Sequence, residues 1–493
     1  MDHFNIESVN SVVDGDRLSS QPNTRSINAN NTITDNCLIK RSRSTDNVFL
    51  EASNCESTSR KRRQRCDNHR RVGYVYSRAY ADVAALLPSN HGRSLLVHSL
   101  IEVYDIWNRV MYVPVEALSV IHSYYVWRVP RCLSRDFRTW CSIISPYAAT
   151  DDELAVFHSS DFVEFMLQAE KYDENVKQNT MSMLCTSDEE FSYEELLSDY
   201  GLEHDCPVFK GLAKYIRLVV GSTIAAAQAL NKGEVDVAIH WDGGRHHAKR
   251  SSAQGFCYVN DVVIGIIELR KKFDRILYID LDLHHGDESA FLYSDKILTL
   301  SFHHYAAGFY PGTGKLNDIG HGLGLYHTIN VPLRRGLNGS SFRRVFSQVT
   351  KQTFEAFRPD AIIIQCGCDG LAGDPSREWN LDIDNFGQCV REVVEWDKPT
   401  LVLGGGGYNH ANAARCNAYI TSLLTNTPIS EDIPEHKYFE EYGPDFSLLI
   451  DPGNQQDAND EDYIVSILST IKKYLETVRS KRESYHQRHL SKS

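Results

Sequence analysis

From about residue 205 onward, short runs rich in Val, Ile and Leu recur along the chain: VDVAIHW, RILYIDLDL, ILTLSFH, DAIIIQCG and PTLVLGGGG. Stretches of helical composition, such as DVVIGIIELRKKF and SFRRVFSQVTKQTFEAF, separate them, and FKGLAKYIRLVVGSTIAAAQAL reads as a helix before the first. A strand with one wet face alternates apolar and polar residues; runs this continuous need cover on both faces. Strands that alternate with helices meet that need as a parallel sheet flanked by helices. The fold expected is therefore α/β, one domain with an open, mostly parallel β-sheet. Ligands in such sheets bind beyond the carboxyl ends of the strands, so the polar residues that follow each run carry the functional interest.

The remainder of the chain fits around that domain. Residues 1–71 are rich in Ser, Asn, Thr and Arg without apolar periodicity, and read as a disordered extension. The extension ends in RKRRQRCDNHRR, from Arg60 to Arg71, with seven Lys or Arg in twelve residues. That run reads equally as an import signal or as a solvated charge run at a domain boundary. Order is expected from VGYVYS at Val72, through a helix around HSLIEVYDIW, to about residue 480, with 481–493 as a frayed tail. EDYIVSILSTIKKYLETV places Ile464, Ile467, Leu468, Ile471 and Leu475 on one helical face, a packing helix. Residues near 116–145 are aromatic and basic with neither period, and read as an insertion without chemistry.

Composition bounds the function. A net charge of −13 argues against nucleic acid as a direct partner and suits a basic one. The twelve cysteines show no framework of spacings, which favours a reducing compartment. No signal peptide and no run long enough to span a membrane is visible, so no membrane association is expected.

The ends of the apolar runs carry unusual polar clusters. After RILYI comes DLDLHHGD, with Asp280, Asp282, His284, His285 and Asp287. In extended chain Asp280, Asp282 and His284 share one side while Leu281 and Leu283 face the other. Buried carboxylates and an imidazole on one side call for a cation. With Asp369, which follows DAIIIQCG, they make a three-ligand site with an open position, the layout of catalytic zinc; Fe(II) or Mn(II) suits the same oxygen and nitrogen donors. A purely structural His–Asp network is the bland alternative, and the density of the motif weighs against it. His246 and His247 follow VDVAIHW, with Asp280 and Asp287 available as carboxylate partners to set tautomer and basicity. GGGGYN lacks the Lys-Ser/Thr of a phosphate loop. Its glycines permit close backbone approach, leaving the Tyr408 hydroxyl to serve an oxyanion; taken alone, Tyr408 reads as a packing aromatic. Phe256, Phe309 and Tyr310 lie beside glycines, where they could wall a tunnel for an alkyl chain.

In order along the chain, HHAKR, SAQGFCYVND, YIDLDLHHGD, SFHHYAAGFYPGTG, QCGCDGLAGDP and LGGGGYN resemble the class I histone deacetylases. HDCP, AGDP and YGPDF lean toward one branch of that class. The resemblance implies an arginase-related α/β domain over about 72–480, the 116–145 insertion aside. It implies zinc on Asp282, His284 and Asp369, and His247 as general base and then acid with His246 as its electrostatic partner. Asp280 and Asp287 would support His246 and His247, and Tyr408 would hold the oxyanion. Gly255, Phe256 and Tyr310 would line the acetyl-lysine tunnel, with Asp205 at its rim. A potassium site would use Asp280, Asp282, His284, Ser301 and the Phe302 backbone. The implied partners are acetylated histone tails and other acetyl-lysine proteins, in nucleus and cytoplasm, with a corepressor assembly left open.

The chain also departs from that pattern. HHGDES lacks the Gly-Val that usually follows the second Asp, and the stretch to Ser301 is shortened. Tyr310 stands where Phe is usual, Arg245 where an apolar residue often precedes the histidine pair, Cys368 where a small residue stands, and Ser376 where Met is frequent. The alternatives are an acetylpolyamine or longer-chain acyl-lysine hydrolase, a non-catalytic scaffold and an arginase-like two-manganese hydrolase.

Overall fold

The structure, a computed structural model, describes residues 70–106, 141–177, 183–186 and 189–490. The basic run before Arg70 and most of the 116–145 segment therefore lie outside the described residues. The described residues belong to one compact unit, Asn68–Ser493.

Eight strands form the central sheet in the order β2-β1-β5-β10-β9-β6-β7-β8, and every pairing in it is parallel. The strands are β1 (Val72–Val75), β2 (Cys141–Ile144), β5 (Val237–His240), β6 (Ile276–Asp280), β7 (Ile297–His304), β8 (Thr328–Leu333), β9 (Ala361–Gln365) and β10 (Thr400–Leu403). A separate antiparallel hairpin joins β3 (Met183–Thr186) to β4 (Glu189–Ser192). The expected apolar runs are the core strands, and β5 to β10 are buried along their whole lengths. Periodicity missed β2. It falls inside the segment read as an insertion, where CSII is too short for a pattern to show, yet it pairs with β1 at the sheet edge.

Helices cover both faces. α1 (Arg78–Ala84), α2 (Arg93–Val103), α3 (Asp151–Ala155), α4 (Ser160–Lys177) and α5 (Tyr193–Asp199) precede the long α6 (Leu212–Lys232). α7 (Asp261–Arg270), α8 (Gly339–Phe357), α9 (Ile383–Val394), α10 (His410–Leu424) and α11 (Glu461–Leu490) follow. Alternation along β6 shows the two layers. Leu277 and Ile279 join the core formed with α2, α8, α9, α10 and α11, whereas Ile276 and Tyr278 join the one formed with α6 and α7. α11 runs through residues 481–490, read above as a tail. Ile464, Ile467, Ile471, Leu475 and Val478 are buried against the sheet side, and Arg482 donates to the Glu355 carbonyl (3.0 Å) near the end of α8. Orphan carbonyls at a helix end take such a partner readily. Arg71, the last residue of the basic run, is tied into the fold: it pairs with Asp236 (2.7 Å) and its carbonyl accepts from Val237.

β5 and β6 are consecutive along the chain, yet β10 and β9 lie between them in the sheet. Chain order reverses there, and the carboxyl ends of β5, β10, β9 and β6 open on a common crevice, the place where such sheets bind ligands.

Two outcomes follow. Ile364→Ala in β9, at a fully buried site, lowers unfolding free energy by about 2–5 kcal/mol in urea titrations, whereas Val465→Ala on exposed α11 surface shifts it by no more than about 0.5 kcal/mol. His158 is buried, donates through Nδ1 to the Arg250 carbonyl (3.2 Å) and accepts from the Asn260 N–H through Nε2 (3.0 Å). Burial lowers it to about 4. The unfolded chain takes up that proton first, so the stabilisation is present above about pH 6.5 and is lost as pH falls toward 4. His158→Gln makes stability against pH shallower across that window, by up to about 1.4 kcal/mol per pH unit.

Candidate metal centre and tunnel

β6 ends at Asp280, and the chain then bends through Asp282, Leu283 and His284. The Leu281 N–H donates to the Gln365 carbonyl (3.0 Å), and the Leu283 carbonyl accepts from His304 N–H (2.8 Å). These bonds keep the alternation going past the strand. Leu281 and Leu283 enter the apolar core, and Asp282 and His284 are presented to the crevice. β9 delivers Asp369 from the other side. The ligand atoms of Asp282, His284 and Asp369 lie within 4.8 Å of one another. His284 Nδ1 is 2.8 Å from Asp369 Oδ2 and 3.4 Å from Asp282 Oδ1.

Fixed donors aim the carboxylates. Asp282 Oδ2 accepts from Gln365 Nε2 (2.9 Å) and Gly406 N–H (2.8 Å), and Asp369 Oδ1 accepts from Leu283 N–H (2.9 Å). Such outer partners orient metal ligands. Burial and the neighbouring Asp282 carboxylate push the Asp369 carboxyl up to about 7. Burial works against a charged His284, but Asp282 and Asp369 outweigh it and raise it to about 10. The cluster therefore has an excess of negative charge that it relieves by holding protons. A divalent cation relieves the same excess, and oxygen and nitrogen donors with one open side suit zinc or ferrous iron. The residues fit a metal.

The histidine pair stands beside this triad. His246 and His247 pack with ring centroids 4.0 Å apart and planes tilted by 47°, and His246, His247 and Asp282 form a second convergent group of donors. His246 Nδ1 meets Asp280 Oδ2 at 2.7 Å, and the same oxygen accepts from Tyr278 Oη (2.7 Å). Burial opposes the charge on His246, but Asp280 and Asp282 raise it to about 9. His247 has the opposite bias: burial and then the charged His246 hold it well below its ordinary value. Asp287 differs from the sequence expectation. Its carboxylate turns back on its own loop, accepting from Ser289 N–H (3.3 Å) and Ser289 Oγ (2.9 Å), while its N–H donates to the His246 carbonyl (2.8 Å). The short HHGDES turn brings Ser289 within reach, and His247 is left with aromatic neighbours.

Further rings pack around the triad and the pair. Phe309 stacks on His284 (5.1 Å, 8°), the Tyr310 ring meets His247 edge-on (5.1 Å), and Phe256 meets Tyr408 (5.5 Å). Gly255 makes room for them. Its φ is +55°, and a Cβ there would lie 2.5 Å from His247 Cδ2 and 2.7 Å from Tyr310 Oη. Asp205 accepts from Gly255 N–H (2.9 Å), which fixes this turn from the outside. Tyr408 is held by its backbone, donating to Asp374 Oδ2 (2.7 Å). Burial and the Asp369 and Asp282 carboxylates disfavour its phenolate strongly, so its hydroxyl keeps its proton. Ser301 is the register partner of Asp280, and its hydroxyl meets His303 Nδ1 (2.8 Å); Phe302 beside it is fully buried.

Sequence reasoning missed Gln365, Asp374 and Tyr278. A glutamine closing an otherwise apolar strand and the AGDP turn were the available signals. The departures pack without displacing a ligand. Arg245 is buried and donates to the Asp242 carbonyl (3.1 Å from its terminal nitrogen), the Cys368 thiol lies 3.5 Å from the Gly406 carbonyl, and Ser376 Oγ donates to the Asp369 carbonyl (2.7 Å).

Gly406 tests the packing of the triad directly. A Cβ there would stand 2.6 Å from Asp369 Oδ2 and 3.0 Å from Asp282 Oδ2. Gly406→Ala is expected to weaken metal binding by about 10–100-fold, the usual cost of disturbing outer partners; equilibrium dialysis against zinc reads it.

Known proteins are similar to this chain in sequence. The model of the histone deacetylase domain matches residues 125–424. Histone deacetylase 8 of Xenopus tropicalis is 37% identical over 408 residues, covering 82% of this chain and 98% of the relative. Histone deacetylase 8 of Xenopus laevis is 40% identical over 338 residues, 68% of this chain and 99% of the relative. Histone deacetylase 1 of Homo sapiens is 41% identical over 327 residues, 66% and 64% of the two chains. The branch toward which HDCP, AGDP and YGPDF lean is that of histone deacetylase 8. With the sheet, the crevice and these relatives in agreement, the chain belongs to the class I histone deacetylase family.

Proposed function

We propose that this protein hydrolyses N6-acetyl-lysine in proteins, histone tails among them, to acetate and free lysine, with zinc on Asp282, His284 and Asp369. The observation that carries the reading is the convergence of those three ligands beside a histidine pair whose members have opposite proton affinities. When bound, the ion supplies a Lewis acid for the acetyl carbonyl and lowers the pKa of a water toward about 7.

The chain's own residues do the rest. Gly255, Phe256 and Tyr310 flank the lysine stem, and Asp205 at the rim engages substrate backbone. His247, neutral at physiological pH, takes the proton of the attacking water. His246, held charged by Asp280, keeps the field positive as the oxyanion forms. The Tyr408 hydroxyl donates to that oxyanion, an interaction whose loss costs roughly 10²–10³ in rate. His247 then returns its proton to the leaving amine, so that lysine departs neutral and the site is reset. Asp287 serves the position of the His246 loop through its N–H in place of backing His247. Asp280, Asp282, His284, Ser301 and the Phe302 backbone would hold the proposed potassium ion. The acidic chain suits basic tails as partners, and action in nucleus and cytoplasm is proposed with it. Among the described residues no helix is long and apolar enough to cross a membrane.

The test compares zinc-loaded parent with Asp282→Ala, His247→Ala and Tyr408→Phe on a fluorogenic acetyl-lysine peptide. The parent turns over; the first two variants lose at least about 10³ in kcat/KM, and Tyr408→Phe loses about 10²–10³, mostly in kcat. Undiminished turnover by the Asp282 or His247 variant overturns the assignment.

A further inference from the structure

Tyr408 stands between two elements and belongs to neither. Gly407 before it has φ +123°, a conformation that suits glycine, and Asn409 after it is the N-cap of α10. No strand or helix therefore fixes its backbone. A turn from the far side does. Asp374, 3% exposed, accepts through Oδ2 from the N–H groups of Tyr408 (2.7 Å) and Asn409 (3.2 Å). Its other oxygen, Oδ1, accepts from Ser376 N–H (2.9 Å), so the carboxylate is aimed from its own turn. The same turn begins at the metal ligand. Ser376 Oγ donates to the Asp369 carbonyl (2.7 Å), and Cys368 N–H donates to the Gly406 carbonyl (3.1 Å).

A carboxylate before a helix N-terminus often serves only to cap the helix. That role is filled here. Asn409 Oδ1 accepts from Asn412 N–H (3.1 Å). The side-chain amides of Asn409 and Asn412 also donate to the Gly373 (3.2 Å) and Ala372 (3.1 Å) carbonyls, which seats α10 on the turn without Asp374. What Asp374 adds is a grip on the residue before the cap, and that residue is the tyrosine. Hydrogen bonds to an ionised acceptor are roughly twice as strong as neutral ones. An oxyanion donor needs such a hold, because a displacement of about 1 Å can cost on the order of 10² in rate.

We infer that Asp374 is a positioning residue for the reaction, holding Tyr408 in the place from which its hydroxyl meets the oxyanion. One turn, Asp369 to Ser376, then carries a metal ligand at one end and sets the oxyanion donor at the other. The inference rests on the deacetylase reading and adds a residue that substrate and metal do not touch.

The test is a double-mutant cycle on the zinc-loaded full chain with a fluorogenic acetyl-lysine peptide: parent, Asp374→Asn, Tyr408→Phe and the two combined. Asp374→Asn lowers kcat by about 10²-fold and leaves KM within about two-fold. In the Tyr408→Phe background the same substitution costs no more than about two-fold, because the group it positions is gone. Zinc affinity by equilibrium dialysis stays at the parent's value. An unchanged kcat, the same loss in both backgrounds, or a loss that follows weakened zinc binding overturns the inference. If Asp374→Asn does not fold, Asp374→Ser takes its place in the cycle, with the same outcomes. If the parent turns over no acetyl-lysine peptide, the deacetylase reading fails instead, and amide hydrogen exchange decides the positioning. Faster exchange at Tyr408 and Asn409 in the Asp374 variant, with the rest of α10 unchanged, supports it; unchanged exchange at those two amides, or faster exchange throughout α10, overturns it.

Discussion

Two aspartates, Asp282 and Asp369, stand side by side with no solvent to separate their charges. Most of the architecture around them follows from that constraint. Buried like charges in contact are tolerable only with aimed donors and a cation. The donors come from the backbone of Leu283 and Gly406 and from the Gln365 amide. Each is fixed by the sheet: Leu283 by its bond to His304 on β7, Gln365 by its place in β9, Gly406 by the turn that leaves β10. Gly405 and Gly406 after β10 are required because a side chain there would strike Gln365 or the carboxylates themselves. The parallel sheet is thus a device for bringing strand ends into register at one place.

A second division of labour separates the two histidines. They are adjacent in sequence and 4.0 Å apart, yet one is biased toward the imidazolium and the other toward the neutral ring. The cause is the placement of carboxylates. Asp280 reaches His246 from the end of β6, and Tyr278 shares its oxygen, while Asp287 is spent on Ser289. A neutral imidazole next to a charged one is the arrangement that lets one accept a proton while the other steadies the negative charge that results.

Much of this was legible in the sequence because the strands are buried on both faces and so read as uninterrupted apolar runs. The clusters at their ends then stood out as polar residues where a core should be. Alternation over DLDLHH gave the correct sides for Asp282, His284, Leu281 and Leu283, although the strand itself stops at Asp280. What escaped was set by tertiary contact. β2 is four residues long at the edge of the sheet. The helical continuation past residue 480 depends on Arg482 reaching α8. Gln365 and Asp374 work through single hydrogen bonds that no spacing announces. Asp287 was assigned to His247 by resemblance, and the shortened loop re-aims it.

The central claim is that Asp282, His284 and Asp369 form a metal site of two oxygens and one nitrogen. Zinc K-edge X-ray absorption on the metal-loaded full chain tests it most directly. The account predicts one zinc per chain with an oxygen and nitrogen shell at about 2.0–2.2 Å and no sulfur, with the shell lost in Asp369→Ala. A sulfur shell at about 2.3 Å, drawing on Cys368 beside the triad, or a shell unchanged by that substitution, would contradict it.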